Sequence, residues 1–129
     1  YITSAIGVHM WAGELALQLK SQTGFEDLEL IVVQPFPEYD RQWDVKSRKR
    51  MEFLIRNSTE CIIIGKSVSQ GNYVLANRYL VDHAQFLIAV SEHAGDLPSD
   101  MTQMEAYAYQ KSLGMIFIHP DTVEVKGAF

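Results

Sequence analysis

Leu28-Glu29-Leu30-Ile31-Val32-Val33, closed by Gln34-Pro35-Phe36-Pro37, is the stretch that decides the fold. A short run this apolar reads as a strand covered on both faces, which is how strands of a parallel sheet between helices look. Pro35 and Pro37 end it, because proline cannot donate to a strand ladder. The pattern continues outward in both directions. Upstream, Ile2 leads into a glycine turn at Gly7. Val8, Trp11, Ala12, Leu15, Ala16 and Leu19 then recur at helical spacing as the expected inward face, and Gly24 ends that helix. Downstream, Val45 to Arg56 reads as a helix with Met51, Leu54 and Ile55 inward. Cys61 to Ile64 is a second buried strand, and Tyr73 to Ala84 a helix with Tyr73, Ala76, Leu80 and Ala84 along one stripe. Phe86 to Val90 is a third buried strand. Met101 to Leu113 is a helix with Ser99 or Asp100 as its expected cap. Met115 to Ile118 is the last clear strand, and Val123 to Val125 a short edge strand.

Strand and helix therefore alternate, which predicts right-handed βαβ units in an α/β fold: a three-layer α/β/α arrangement around a mostly parallel central sheet. At 129 residues, 47% hydrophobic and 21% charged, the chain fits one domain, 1–129, with an ordinary core. Its first residues, Tyr1-Ile2-Thr3, resemble the end of a buried strand. The expectation is that the natural protein extends further N-terminally and that this domain lacks its first strand. No apolar run approaches the ~20 residues of a membrane span. A single cysteine, Cys61, excludes an internal disulfide framework and suits a reducing, cytoplasmic setting as a small core residue. The net charge of −5 disfavours nonspecific nucleic-acid binding by the whole surface.

In such sheets ligands bind beyond the carboxyl ends of the strands. That rule selects five loops: Ser4 to Gly7, Gln34 to Trp43, Gly65 to Asn72, Ser91 to Asp100 and His119 to Asp121. In the first, Ser4-Ala5-Ile6-Gly7-Val8-His9, backbone N–H groups can hold a phosphate on the helix N-terminus. Only one glycine is present, so neither the dinucleotide fingerprint nor the P-loop is matched, and a plain tight turn is the alternative. In the second, Phe36 or Trp43 beside Glu38 can stack on a base and bind ribose hydroxyls. Alternatively Phe36 and Trp43 anchor the loop to the core. Six of the eleven basic residues (Arg41, Lys46, Arg48, Lys49, Arg50 and Arg56) lie in one segment, either a solvated helix face or a surface for nucleic acid or an acidic partner. Arg78 and Asp82 can pair one helical turn apart. Asn77 beside them either faces the site or caps a neighbouring loop. None of His9, His83, His93 and His119 falls in a zinc spacing, so no metal is expected.

These pieces, in order, resemble a known family. Ile6-Gly7-Val8-His9-Met10-Trp11-Ala12-Gly13-Glu14, Val33-Gln34-Pro35-Phe36, Gln42-Trp43, Asn77-Arg78-Tyr79-Leu80-Val81-Asp82 and Leu87-Ile88-Ala89-Val90 are similar to the YpsA-type branch of the SLOG superfamily. The likeness runs from Ile2 to about Pro120. It implies a Rossmann-like fold related to the DNA-processing protein DprA and to the LONELY GUY phosphoribohydrolases. In the branch the first motif follows an N-terminal strand ending in a Gly-His-Arg-like turn. It often has an acidic residue where this chain has His9 and a glycine where it has Ser4. The phosphoribohydrolases carry Pro-Gly-Gly-x-Gly-Thr-x-x-Glu. Here Thr102 and Glu105 keep the Thr-x-x-Glu spacing, but the preceding glycines are absent.

Three functions follow as expectations. The first is a sensing or regulatory domain that binds a nucleotide or nucleotide-derived ligand and requires no cofactor. Its ligand contacts would come from Ser4, Gly7, His9, Phe36, Glu38, Trp43, Asn77, Arg78, Ser91 and Thr102. The second is a phosphoribohydrolase-like N-glycoside hydrolase with Glu105 as its catalytic acid. The third, with nucleic acid the less expected partner, is an interaction domain using segment 41–56. A homo-oligomer is a further expectation.

Overall fold

The computed structural model describes residues 1–92 and 101–128. They form β1 (Ile2–Thr3), α1 (Val8–Lys20), β2 (Ile31–Gln34), α2 (Val45–Asn57), β3 (Glu60–Ile63), α3 (Gln70–Asp82), β4 (Phe86–Val90), α4 (Gln103–Gln110), β5 (Gly114–Ile118) and β6 (Val125–Ala128). The alternation is that of a Rossmann-like α/β fold. The chain divides into two compact units, Tyr1–Ala76 and Asn77–Phe129. Among the described residues no helix is long and apolar enough to cross a membrane.

In the first unit β1, β2 and β3 form a parallel sheet in that order, with Ile2 opposite Val32 and Val33 opposite Ile62. Its core joins Ile2, Met10, Leu30, Val32, Met51 and Leu54, and Ala16, Leu17, Tyr39, Trp43 and Ile55 pack against it. α2 follows its sequence pattern: the Asp44 carboxylate accepts from the Ser47 amide at 3.0 Å to cap it, and Met51 and Leu54 are buried.

α1 does not present the face that its spacing predicts. Met10 and Gly13 are buried, while Val8, Leu15 and Trp11 are exposed, Trp11 by 63%. Gly13 supplies the reason. A Cβ at that position would lie 2.8 Å from Ile2 Cδ1 and 3.1 Å from Leu54 Cδ1. The helix therefore seats its bare glycine against β1 and α2, and the larger apolar residues turn outward. β3 also differs from expectation. Its residues are mostly exposed, whereas those of β1, on the other side of β2, are buried. Cys61, expected in the core, is exposed there, and its Sγ accepts from Gln34 Nε2 at 3.0 Å.

In the second unit β4 and β5 are parallel and β6 joins β5 antiparallel, with Ala89 opposite Phe117 and Phe117 opposite Lys126. The sheet of 1–129, expected as one mostly parallel sheet, is thus described as two three-stranded sheets, the second with an antiparallel edge strand. Val81, Ala108, Met115 and Phe117 form the core, with Leu87, Ala89, Met104, Tyr107 and Leu113 against it. β4 turns Leu87 and Ala89 to this cluster but leaves Phe86, Ile88 and Val90 exposed, Ile88 by 62%. It is a half-covered strand, where the apolar run predicts one covered on both faces. α4 is shorter than the span from Met101 to Leu113. Ser112 takes a positive φ of 62° just beyond it and donates its amide to the Tyr109 carbonyl at 3.0 Å. The expected caps, Ser99 and Asp100, lie outside the described residues, and the cap of α4 is Thr102. β6 starts later than expected because Val123, at φ 61°, still belongs to the turn.

Candidate functional site

The turn from β1 into α1 is built from buried polar groups. The Ser4 amide donates to the Val33 carbonyl at 3.0 Å, continuing the β1–β2 pairing, and the Ala5 amide folds back on the Thr3 carbonyl at 2.9 Å. The Ser4 side chain is 5% exposed, and its Oγ makes no hydrogen bond of good geometry. The chain enters α1 through Gly7 at φ 99° and ψ −130°, a conformation that side chains disfavour. A Cβ there would meet nothing within 4 Å, so the demand for glycine is conformational. No side chain caps α1. Its first amides are left for solvent or a bound group.

His9 stands in the first turn of α1. Its Nδ1 accepts from the Thr3 amide at 3.1 Å. That bond requires an unprotonated Nδ1, so the neutral ring carries its proton on Nε2 as a donor. Burial, first, lowers the pKa of His9 from its ordinary value and favours the same neutral form. Tyr39 closes the other side of Ser4. Burial pushes its phenol up to about 12, and the Ser4 hydroxyl works against that rise by favouring the phenolate. At neutral pH Tyr39 is a protonated donor. Its ring meets Trp43 edge to face, with centroids 5.4 Å apart. Ser4 and His9 thus meet at one turn, with Tyr39 beside Ser4 and Trp43 against the Tyr39 ring. Sequence reasoning missed Tyr39. Its available signal was an aromatic four residues before Trp43 in a loop already rich in aromatics.

The aromatic loop divides its expected roles. Phe36 is 3% exposed and packs edge to face on Tyr73 at 5.3 Å. Trp43 is half-buried against the core. Both serve as anchors, the alternative to base stacking that the residues left open. Glu38 is exposed at φ 63° and pairs with Arg41 at 3.6 Å. The basic segment is less uniform than its sequence suggests. Arg48 turns onto the loop, donating to the carbonyls of Asp40 and Arg41 at 3.2 and 2.9 Å, and Arg50 donates through Nε to Glu14 at 2.9 Å. Among the described residues, Lys46, Lys49 and Arg56 are the members of the segment without an ion pair.

In the second unit, Thr102 Oγ1 accepts from the Glu105 amide at 3.2 Å and the Glu105 carboxylate accepts from the Thr102 amide at 3.3 Å. This is a complete capping box, and it holds Glu105 at 6% exposure. Arg78 and Asp82 do not pair as expected. Tyr107 stands between their roles: its hydroxyl donates to Asp82 Oδ1 at 2.8 Å and Arg78 lies over its ring at 5.2 Å. Asn77 is partly buried on α3. The Ser91 amide extends the β4–β5 ladder by donating to the Ile118 carbonyl at 3.0 Å. His119 organises its own loop, with Nδ1 accepting from the Asp121 amide at 3.1 Å. His93 lies outside the described residues.

Comparison with known proteins matches residues 1–123 to the family described as YspA SLOG. The chain is also similar to UPF0398 proteins of Bacillus cereus strains B4264 and G9842 and of Bacillus thuringiensis strain Al Hakam. Each is 29% identical over 91 residues, which cover 69% of this chain and 48% of the relative. The chain thus spans about half the length of the curated relatives it matches. With the alternation of elements and the Gly7 turn in place, the match over nearly the whole chain means that it belongs to the YpsA family of SLOG proteins.

Proposed function

We propose that this chain is a sensing or regulatory domain that binds a nucleotide or nucleotide-derived ligand at the β1–α1 turn. The observation that carries the reading is a helix start without a side-chain cap, entered through Gly7, beside a buried Ser4 hydroxyl that lacks a good hydrogen bond. Such a start offers amide donors and the positive end of the helix dipole to an anionic group. Ser4 and the His9 Nε2–H add neutral donors, and the protonated Tyr39 adds another. A set made of donors suits the holding of a phosphate or carbonyl oxygen better than it suits proton transfer. The family match runs across both units, which supports reading 1–129 as a single SLOG domain.

Glu105 supports binding over hydrolysis, since its carboxylate is already engaged at the amide of Thr102. On this reading Asn77, Arg78, Ser91 and Thr102 maintain the second unit and are not needed for the anion contact.

A thermal-shift screen against nucleoside monophosphates, cyclic nucleotides and ADP-ribose tests the proposal, because a ligand that binds only the folded state raises the melting temperature. A shift that Ser4→Ala and His9→Ala abolish supports it. Hydrolysis of a nucleoside monophosphate that Glu105→Gln abolishes would replace it with the enzymatic reading.

A further inference from the structure

The groove between α1 and α2 lies outside the β1–α1 turn. It holds about 640 Å³ and is lined by Glu14, Leu17, Gln18, Lys49, Arg50 and Phe53. Phe53 is 55% exposed at its edge. Lys46, Lys49 and Arg56 share the outer face of α2 with Phe53, at the helical spacings of three and four residues. The groove is therefore apolar within and basic at its rim, on a chain whose net charge is −5.

The chain also contains a segment with the opposite character. Phe25, Glu26, Asp27, Leu28 and Glu29 follow the end of α1 and are all exposed. Lys20 Nζ donates to the Leu28 carbonyl at 2.7 Å, and Glu26 accepts from the Gly24 amide at 2.9 Å, so the segment is held in shape. Among the described residues Asp27 and Glu29 make no ion pair. Two apolar side chains and two unpaired carboxylates complement Leu17, Phe53 and the rim lysines. Gln18, which lines the groove, is three residues from Ser21, where this loop begins. Because α1 forms one wall of the groove and leads into the segment, a single two-fold axis is the arrangement in which each copy supplies one groove and one segment.

We propose that the chain self-associates as a two-fold dimer in which the 25–29 segment of each copy seats in the α1–α2 groove of the other. The contact is part apolar and part ionic, so it weakens with salt. Sedimentation equilibrium of the full chain at low and high salt tests it, together with Phe53→Ser, Lys49→Glu and Asp27→Lys. All three substitutions are at exposed positions, and circular dichroism checks that each variant is folded. The expected result is a reversible dimer whose dissociation constant rises by about tenfold or more with Phe53→Ser. Lys49→Glu alone and Asp27→Lys alone are each expected to weaken association. An equimolar mixture of the two restores it, because the mixed dimer carries an opposite-charge pair at both contacts. A chain that stays monomeric at every concentration overturns the proposal and leaves the groove to a foreign acidic segment. A dimer indifferent to these substitutions, or a mixture that fails to associate, overturns it as well.

Discussion

Two helix starts in this protein solve the same problem in opposite ways. Both α1 and α4 present N-terminal amides that the helix itself cannot satisfy. α4 satisfies them from within its own sequence, through Thr102 and Glu105. α1 has no capping side chain and enters through a glycine in a conformation that other residues disfavour. An uncapped start costs stability, so something else must hold α1 in place. Gly13 contributes to this, by seating the helix directly against the Ile2 and Leu54 side chains, which would have to shift to admit a Cβ. Tertiary packing stands in for the cap, and the first amides of α1 keep no side-chain partner, which is what the proposed anion contact would use. α4, eight residues long, depends on local capping, and its first amides are engaged by Thr102 and Glu105.

The largest test breaks the packing that substitutes for a cap. Gly13→Val puts branched carbons where even a Cβ would overlap Ile2, and overpacking of this kind is expected to cost about 2–3 kcal/mol, read by chemical denaturation. Next comes the turn itself. Gly7→Ala forces a side chain into the conformation at φ 99° and should cost about 1–2 kcal/mol, although nothing crowds the added methyl group. It should also reduce any ligand-induced thermal shift, which separates it from Gly13→Val followed by compensating stabilisation elsewhere. On the closed helix, Thr102→Ala should cost about 1 kcal/mol and speed amide exchange in α4. It should leave the ligand-induced shift intact. Loss of that shift with Thr102→Ala would end the contrast between the two helix starts.

The same contrast explains what was legible in the sequence. α2 could be read directly, because an Asp cap followed by Met51 and Leu54 is a local signal, whereas the apolar run from Leu28 located β2 but not its start: the strand begins at Ile31, and Leu28 and Glu29 before it are exposed. The outward turn of α1 was not legible from periodicity. Its apolar residues populate more than one face, and only the contact of Gly13 with Ile2 and Leu54, distant in sequence, chooses between them. β3 and β4 read in the sequence as covered on both faces because apolar runs look alike whether one face or both are buried. At the site, the Ser4 to His9 turn was visible as a glycine between strand and helix. The neutral tautomer of His9 was not, since it depends on a bond to the amide of Thr3. The Thr-x-x-Glu spacing at Thr102 and Glu105 was visible, and its local meaning is a capping box. Whether Phe36 and Trp43 are anchors or stacking platforms depends on burial, which composition leaves open; both are anchors.

Glu105→Gln sharpens the comparison on the α4 side with a smaller effect. Glutamine can keep the reciprocal hydrogen bond, but it removes a negative charge from the helix start, a loss of about 0.3–0.5 kcal/mol. The acidic pH dependence of stability gives the matching test on the α1 side. Burial, its largest cause, lowers the pKa of His9 from 6.5 in the folded chain. Above pH 6.5 the imidazole is neutral in both states and contributes nothing to the pH dependence. Below it the unfolded chain takes up the proton first, so folding stability falls as the pH drops from 6.5 towards the folded pKa. Protonation at Nδ1 also removes the acceptor for the Thr3 amide. Unfolding measured across this range should therefore show a slope for the natural sequence that His9→Gln flattens. The nitrogen shifts of His9 at neutral pH should report a proton on Nε2. A proton on Nδ1, or a slope unchanged by His9→Gln, would mean that the imidazole is not the fixed neutral donor on which the open helix start relies.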